Sequence, residues 1–341
     1  MDINDFYYDL PEELIAQEPI QKRDTSRLLV MGINDGNLEH RSFTDLLDYL
    51  KPGDALIVNE TKVIPARLLG VKEGGGAQVE VLLLKPLSSN RWEALVKPGK
   101  KLQIGAKIQF GAGLLSAVVL EKTEFAGRVL EFSFAGEFEE ILDRIGSMPT
   151  PPYIKKPLED QRRYQTVYAR QAGSAAAPTA GLHFSQELLD QVSNKGVSVV
   201  PVLLHVGLGT FRPVQAEDIR DHHMHEEYYE ITPWAAEQIN QTKAGKGRIV
   251  AVGTTTTRCL ESAAGADGLV KPGTGWTDIF IYPGYDFKVV EGLITNFHLP
   301  KSTLVMMVSA MTGLDNLMNA YNEAVRLRYR FFSFGDAMLI I

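Results

Sequence analysis

The segment SAAAPTAGLHF, from Ser174 to Phe184, combines very little side-chain volume with a histidine near its end. Small side chains allow another group to approach the backbone closely, and a histidine can exchange a proton near neutral pH. We therefore predict that Ala180 and Gly181 form a wall for a ligand, with His183 at its edge. The alternative is a tight loop in which the small residues and the histidine serve packing alone.

Three further segments have the form of a buried strand that ends in polar residues. The segment VSVVPVLLHVGLGTF places His205 after a strand, and RIVAVGTTTTR continues from a strand into four threonines and Arg258. The segment GLITNFHLPKST places His298 between a strand and a helix. In an open parallel sheet, ligands bind beyond the carboxyl ends of the strands, where helix N-termini also point. The sequence therefore predicts one shared cleft. Its expected ligand-binding residues, besides Ala180 and Gly181, are Gly207, Gly209, Thr210, Thr254, Thr255, Arg258 and Lys301.

The patterns of strands and helices predict two domains. The chain has 341 residues, which exceeds the usual size of one domain. Short runs rich in Val, Leu and Ile, separated by Gly, Pro and Asn, fill residues 66–134, as in a small barrel or sandwich. Beyond them, helices alternate with apolar strands, which is typical of a largely parallel sheet. The predicted fold class is α/β: a Rossmann-like three-layer domain of residues 1–62 and 150–341, with an inserted small β-barrel domain of residues 63–149.

Composition limits the cellular location of the protein and the partners that it can bind. Acidic residues near the start stand where a secretory signal would be basic and then apolar, so we expect a cytoplasmic protein. A single cysteine, Cys259, excludes an internal disulfide and a multi-cysteine zinc site. The net charge of −7 argues against a surface coated for nucleic acid, but it leaves room for local basic patches. The basic candidates are Lys97, Lys100, Lys101, Lys155, Lys156, Arg162 and Arg163.

The histidine-rich segment DHHMHEEYYE, Asp221 to Glu230, raises the question of a metal site. In a helix, His222 could share a face with His225 or Glu226, because only residues three or four apart are neighbours. The zinc-protease spacing of two histidines four apart around a glutamate is absent. We therefore predict no metal site and expect these histidines to carry protons or donate hydrogen bonds. A metal-dependent hydrolase built on His222, His225 and Glu226 remains an alternative.

Many segments in order along nearly the whole chain carry a resemblance to a known family. They include FYYDLPEELIAQEP, RDTSRLL, NETKVIPARL, MPTPPYI, YQTVYA, AAPTAGLHF, HVGLGTFRPV, AVGTTTTR, TDIFIYPGY, LITNFHLPKSTL and YRFFSFGDAM. The sequence closely resembles the bacterial S-adenosylmethionine:tRNA ribosyltransferase-isomerases of queuosine biosynthesis. Departures from the family pattern are Glu60, His223, and Thr256 with Thr257 in place of a common Ser-Val pair; Arg258 is retained.

The resemblance implies an enzyme with a Rossmann-like domain and an inserted β-barrel. The implied reaction transfers the ribosyl part of S-adenosylmethionine to 7-aminomethyl-7-deazaguanine at the wobble position of a tRNA. The sugar rearranges to an epoxycyclopentanediol, and adenine and methionine leave. S-adenosylmethionine is then a cosubstrate, no cofactor is bound permanently, and we expect a monomer. A tRNA-binding protein without catalytic activity is the second alternative.

The implied reaction needs groups that move protons, bind anions and face cations. Histidine suits proton transfer, so His183, His205, His225 and His298 are candidates for the base, and the sequence does not choose between them. Thr254, Thr255, Arg258 and Lys301 would bind the methionine carboxylate or an RNA phosphate. The carboxylates expected to face the sulfonium or the substrate amine are Glu226, Asp278 and Asp336. The aromatic residues considered for base stacking are Tyr282, Tyr285, Phe297 and Phe331. The basic candidates at 97–101 and 155–163 would contact the anticodon arm.

Overall fold

The computed structural model describes residues 1–123, 127–207, 214 and 216–341. They form two compact units. The α/β unit contains Met1–Thr61, Pro152–Gln171 and Pro178–Ile341, and the barrel unit contains Lys62–Pro151 and Ala172–Ala177. The domain boundaries drawn from the sequence remain a prediction.

The α/β unit is organised by a mixed sheet of nine strands among the described residues. With strands numbered along the chain, the spatial order is β16 (Gly273–Thr277), β14 (Glu227–Ile231), β13 (Ser198–Leu204), β3 (Ala55–Asn59), β15 (Ile249–Val252), β17 (Gly292–Asn296), β18 (Ala337–Ile340), β1 (Arg27–Met31) and β2 (Leu38–Ser42). The four central strands β13, β3, β15 and β17 are mutually parallel. Antiparallel pairings flank them, so the sheet is less purely parallel than the sequence predicted.

The helices of this unit are α1 (Leu46–Tyr49), α3 (Gln186–Asn194), α4 (Pro233–Ala244), α5 (Thr254–Ala263), α6 (Thr303–Thr312) and α7 (Leu314–Arg326). Alternate strand residues such as Leu56 and Val58 pack in one apolar cluster with Leu188 and Val192 of α3. The Ser185 side chain caps α3 by accepting a hydrogen bond from the Leu188 N–H. The segment from Phe43 to Leu50, whose apolar spacing favours a helix, is a 3₁₀ turn followed by the short α1.

The barrel unit is closed. Its strands are β5 (Arg67–Lys72), β6 (Gln78–Pro86), β7 (Arg91–Lys97), β8 (Lys107–Phe110), β9 (Leu115–Lys122) and β10 (Gly127–Phe134). They pair antiparallel in the order β5-β6-β7-β10-β9-β8, and β8 returns to β5. Helix α2 (Phe138–Ile145) and the short β11 (Gly146–Ser147) follow β10, and β4 (Thr61–Val63) pairs with β12 (Gln171–Ser174) in a separate sheet.

Alternate residues of the barrel strands point inwards and fill the interior with apolar side chains, including Val81, Leu83, Phe110 and Phe132. The fold class predicted from the sequence, a Rossmann-like three-layer domain with an inserted small β-barrel, is therefore confirmed. Within the described residues, none of the helices has both the length and the apolar character needed to cross a bilayer.

Candidate active site

The predicted strand ends lie along one edge of the central sheet. Residue pairs in register join Val202 to Asn59 and Ile57 to Ala251. Val252 of β15 is likewise opposite Ile294 of β17. Because these four strands are parallel, their carboxyl ends lie side by side, and the polar residues that follow them form one row.

Asn59 joins two of these strand ends. Its side chain is fully buried and donates to the Leu204 carbonyl at 2.9 Å. Its amide oxygen accepts from the N–H groups of Leu204 and Thr61, each at 3.1 Å. With donor and acceptor both used, Asn59 fixes the backbone that presents Thr61 and His205.

His205 follows β13 and is held on two sides. Its Nδ1 lies 2.8 Å from the Thr61 hydroxyl, and its ring stacks on Tyr228 with centroids 5.9 Å apart. The side chain is half-buried, and burial lowers its pKa, so the imidazole is neutral at pH 7. Nε2 makes no hydrogen bond within the part of the chain that the structure describes. His205 thus presents one ring nitrogen for proton transfer while a hydroxyl orients the other.

Arg258 is paired rather than open to a ligand. Arg258 and Glu227 are each 3% exposed and form an ion pair. The guanidinium also donates to the Ile279 carbonyl at 3.2 Å. The second carboxylate oxygen of Glu227 accepts from the Gly207 N–H at 3.0 Å. In this arrangement Arg258 positions the backbone after β13, and its charge is already neutralised.

Helix α5 begins directly after β15 at Gly253, whose φ of +92° belongs to the left-handed region that glycine tolerates. Gly253 has no side chain with which to cap this helix, and the first N–H groups of a helix are groups that can bind an anion. Thr254 and Thr255 are both buried, and the Thr255 hydroxyl lies 3.4 Å from the Asn59 amide nitrogen. Anion binding at the start of α5 stays a prediction, and because Arg258 is paired with Glu227 it would depend on the backbone of α5 more than on Arg258.

His183 is buried with both ring nitrogens engaged. The Asn296 amide nitrogen also donates to the Phe332 carbonyl, so it is the donor to His183 Nε2 at 3.0 Å. The ring proton is consequently on Nδ1, which donates to the Ser26 hydroxyl at 2.7 Å. Burial, followed by the charges of Arg330 and Arg23, lowers the pKa of His183 to about 3. Because both ring nitrogens of the neutral His183 are hydrogen-bonded, its role in this structure is to stabilise the fold.

His298 and Lys301 follow β17. His298 Nε2 lies 2.7 Å from the Thr295 hydroxyl, and burial lowers the His298 pKa to about 3. Lys301 precedes α6, with a φ of +59°, and its ammonium group donates to the Asn4 side chain at 2.7 Å. Ser302, rather than Lys301, caps this helix.

The small residues of SAAAPTAGLHF are packed against the chain itself. Ala180 packs in the apolar cluster that contains Leu56 and Val58 of β3. A Cβ placed on Gly181 would lie 2.0 Å from the Tyr168 hydroxyl oxygen and 2.8 Å from the Thr166 methyl carbon. The groups that approach the Gly181 backbone are therefore the Tyr168 and Thr166 side chains of the segment YQTVYA.

The histidine-rich segment is extended rather than helical. A short 3₁₀ turn ends at Asp221, residues 222–226 have no regular structure, and β14 begins at Glu227. The helical spacing argument for His222 and His225 therefore does not apply. Among the described residues, no group of three or more His, Cys, Asp or Glu side chains is placed to hold a metal ion.

The remaining predicted carboxylates and aromatic residues fall into different environments. Glu226 and Asp278 are exposed, whereas Asp336 is buried and paired with Arg27 at 3.0 Å. Phe297 and Phe331 are fully buried core residues, so they cannot stack on a base. Tyr282 and Tyr285 are partly exposed. Gly209 and Thr210 lie outside the described residues.

The basic candidates differ in how far their charges are compensated. Lys155 pairs with Glu12, Lys156 lies 2.5 Å from Glu18, and Arg162 lies 3.0 Å from Asp160. Arg163 instead donates to the backbone carbonyls of Ile20 and Gln21. In the barrel unit, Lys97, Lys100 and Lys101 are exposed.

Sequence reasoning did not single out Asn59, Thr61 and Tyr228, and it considered Glu227 only as a metal ligand in the histidine-rich segment. Asn59 carried a signal, since a polar residue closes the apolar run ALIVN. Glu227 begins a strand whose partner in space, Arg258, is 31 residues away, and no local pattern connects the two.

Comparisons with known proteins agree on one family. Residues 3–340 match the family described as queuosine biosynthesis protein. An S-adenosylmethionine:tRNA ribosyltransferase-isomerase from Pelotomaculum thermopropionicum is 66% identical over 341 residues, which is 100% of both chains. The protein of the same description from Desulforamulus reducens is 61% identical, again over 100% of both chains.

A solved structure is also similar. The crystal structure of S-adenosylmethionine tRNA ribosyltransferase from Thermotoga maritima is 40% identical and has a TM-score of 0.58. The match covers 99% of this chain and 100% of that one. The chain therefore belongs to the S-adenosylmethionine:tRNA ribosyltransferase-isomerase family of queuosine biosynthesis.

Proposed function

We propose that the chain transfers and isomerises the ribosyl moiety of S-adenosylmethionine onto 7-aminomethyl-7-deazaguanine at the wobble position of a tRNA. The products are epoxyqueuosine-tRNA, adenine and methionine. Family membership supports the reaction, and the row of polar residues beyond the central strands supports its location. One observation supports this location most strongly. His205 is a neutral, half-buried histidine in which Thr61 orients one ring nitrogen and the other is available.

The first chemical demand is a base for the ribose carbon next to the sulfonium. Deprotonation there gives a carbon nucleophile stabilised by the adjacent positive sulfur. When Nδ1–H of His205 donates to Thr61, Nε2 carries the lone pair and accepts this proton. The imidazolium formed in this way can deliver the proton from Nε2 to departing adenine, which returns His205 to its neutral form. We assign the base to His205 because His183 has no unoccupied ring nitrogen.

The cosubstrate also needs partners for its carboxylate and its positive charges. The uncapped first turn of α5, with Thr254 and Thr255, offers N–H groups for the methionine carboxylate. Exposed carboxylates such as Glu226 and Asp278 are available to the sulfonium or to the substrate amine. In this proposal Arg258 acts by holding Glu227, which in turn holds Gly207 at the end of β13.

An aromatic pair beside His205 offers a surface for a nucleobase. Tyr228 and Trp276 are directly opposite each other on β14 and β16, with ring centroids 5.6 Å apart. Trp276 is 49% exposed. Stacking on such a ring suits an adenine or an extruded wobble base, since every base has a π face. Lys97, Lys100 and Lys101 of the barrel unit remain our proposed contacts to the anticodon arm.

The test is direct. Purified chain is incubated with S-adenosylmethionine and a tRNA that carries 7-aminomethyl-7-deazaguanine, and free adenine and methionine are separated by chromatography. We expect both to be released in equal amounts, only with the modified tRNA, and without sensitivity to a chelator. A tRNA with ordinary guanine at the wobble position is the matched control. Binding of the modified tRNA without release of either product would contradict the proposed function.

The metal-dependent hydrolase is not favoured, because the relatives are transferases and the histidine-rich segment is extended. We further propose that the chain acts as a monomer in the cytoplasm, with S-adenosylmethionine as a cosubstrate and no permanently bound cofactor. Light scattering of the complex with tRNA measures the oligomeric state. One chain per tRNA is the expected result.

A further inference from the structure

A small pocket in the α/β unit is lined by two arginines that form no ion pair with the residues that the structure describes. It lies among Arg23, Arg163, Leu182, His183 and Ser333 and has a volume of about 20 Å³. This space holds one or two water-sized atoms. It is far too small for a nucleobase, but it suits a single oxygen of a group whose remainder lies outside.

The two arginines are fixed by backbone carbonyls instead of by acids. Arg23 donates to the carbonyls of Leu182 and Arg162, both at 3.2 Å. Arg163 donates to the Ile20 and Gln21 carbonyls, at 2.6 and 3.0 Å. Within the described residues, neither guanidinium forms an ion pair, and Arg163 Nε is buried without a hydrogen-bond partner. A buried donor on a charged group usually has an acceptor, so the hydrogen-bonding capacity of Arg163 is not fully used by the chain itself.

The positive charges in this region are only partly compensated. Burial lowers the pKa of Arg23 and the charge of Arg163 lowers it further, whereas Asp160 acts in the opposite direction. The nearest acid on the same segment, Asp160, already forms a bidentate pair with Arg162. Two like charges held close together without a counter-ion are unfavourable unless an anion joins them.

We propose that the pocket of Arg23 and Arg163 binds one phosphate group of the tRNA backbone. The inference rests on the proposed function, in which tRNA is the substrate, and it assigns a contact that the predicted basic segments did not distinguish. Planar guanidinium groups match the geometry of phosphate oxygens. The pocket differs in this respect from Lys155, Lys156 and Arg162, whose charges are already paired with acids.

The carboxylate of S-adenosylmethionine has similar oxyanion chemistry, but the charges disfavour it. With its ammonium and sulfonium groups, the cosubstrate carries a net positive charge at neutral pH. The pocket lining contains Arg23 and Arg163 and no acidic residue. Two guanidinium groups without an ion pair would attract the carboxylate and repel the rest of that molecule, whereas a phosphodiester brings only negative charge.

The test compares tRNA binding by the unchanged chain and by Arg163→Gln over a series of salt concentrations. We expect Arg163→Gln to weaken tRNA binding on the order of tenfold. It should also reduce the slope of log affinity against log salt by about one unit. Affinity for S-adenosylmethionine, measured by calorimetry, should not change. The matched control is Arg162→Gln, because the Arg162 side chain is 90% exposed and already paired, so its slope should change less.

A second variant separates two roles of Arg163, ligand binding and stabilisation of the backbone. Arg163→Lys keeps the charge but loses the bonds to the Ile20 and Gln21 carbonyls. If the pocket binds phosphate, Arg163→Lys retains the salt slope of the unchanged chain; a purely structural role predicts equal loss of affinity in both variants without a change of slope. An unchanged slope in Arg163→Gln, or a selective loss of S-adenosylmethionine binding, would overturn the proposal. Absence of tRNA binding by the unchanged chain would instead count against the proposed function.

Discussion

The carboxyl edge of the central sheet and the interior of the barrel are both built from strands, but they are completed by different residues. At the edge, the strand ends carry Asn59, His205 and Asn296, whose polar atoms are linked by specific hydrogen bonds. Inside the barrel, the inward positions carry apolar residues such as Leu83 and Phe132. The barrel interior therefore supplies stability, while the edge holds the groups that can bind and react. Changes at the two places should have different consequences.

The largest effect is expected from breaking the buried ion pair at the edge. Arg258→Met removes the guanidinium that pairs with the buried Glu227 carboxylate. We expect the free energy of unfolding to fall by about 3–5 kcal/mol, measured by urea denaturation. The double variant Arg258→Met with Glu227→Gln should recover part of this loss, because the uncompensated charge is removed. A fully stable Arg258→Met protein would show that Arg258 is not the positioning residue described here.

A cavity in the barrel should reduce stability by a comparable amount through a different mechanism. Phe132 is buried in the barrel core, and Phe132→Ala removes most of its contacts. We expect a loss of about 3–5 kcal/mol, seen as faster hydrogen exchange in β7, β9 and β10. Phe132→Leu keeps most of the volume and should cost less. Unchanged exchange in these strands would mean that the barrel does not depend on its filled interior.

A smaller effect should follow from adding one methyl group beside Tyr168. The Cβ of Gly181→Ala would meet the Tyr168 hydroxyl oxygen at 2.0 Å. We expect a loss of about 1–3 kcal/mol in thermal or chemical unfolding. Tyr168→Phe combined with Gly181→Ala should relieve part of it. If Gly181 instead forms a wall for the ligand, Gly181→Ala will be stable and will raise the KM for S-adenosylmethionine.

The stability of the protein should also fall with pH below about 6.5. His183 and His298 have folded pKa values of about 3, against about 6.5 for an unfolded histidine. Between these values the unfolded state binds more protons, so the free energy of unfolding falls as the pH falls from 6.5 towards 3. Each histidine should contribute about 1.4 kcal/mol per pH unit in this window.

His183→Gln should flatten this dependence, and the exposed His223 provides the control variant His223→Gln. Equal slopes for the unchanged chain and His183→Gln, measured by chemical denaturation from pH 7 to pH 4, would contradict the buried, neutral state of His183.

The sequence predicted those parts of the fold that depend on local pattern. The apolar run ALIVN forms β3, and Asn296 ends β17, because a buried parallel strand is a continuous apolar run. The alternating runs of the barrel likewise became its strands. The sequence could not predict that both ring nitrogens of His183 are hydrogen-bonded, to Ser26 and Asn296, since those partners are 157 and 113 residues away. It also suggested helical spacing around His222, where the chain is extended before β14.

The central claim, that His205 is the proton-transfer group of the reaction, is tested most directly by single-turnover kinetics with saturating S-adenosylmethionine and modified tRNA. We compare the unchanged chain with His205→Gln and with the control His222→Gln, and we measure adenine release as a function of pH. We expect His205→Gln to slow release by roughly 10²–10⁴-fold and to lose the fall in rate on the acidic side of the profile. His222→Gln should keep both the rate and the profile. A His205→Gln protein that releases adenine at the unchanged rate with the same pH profile would contradict the account.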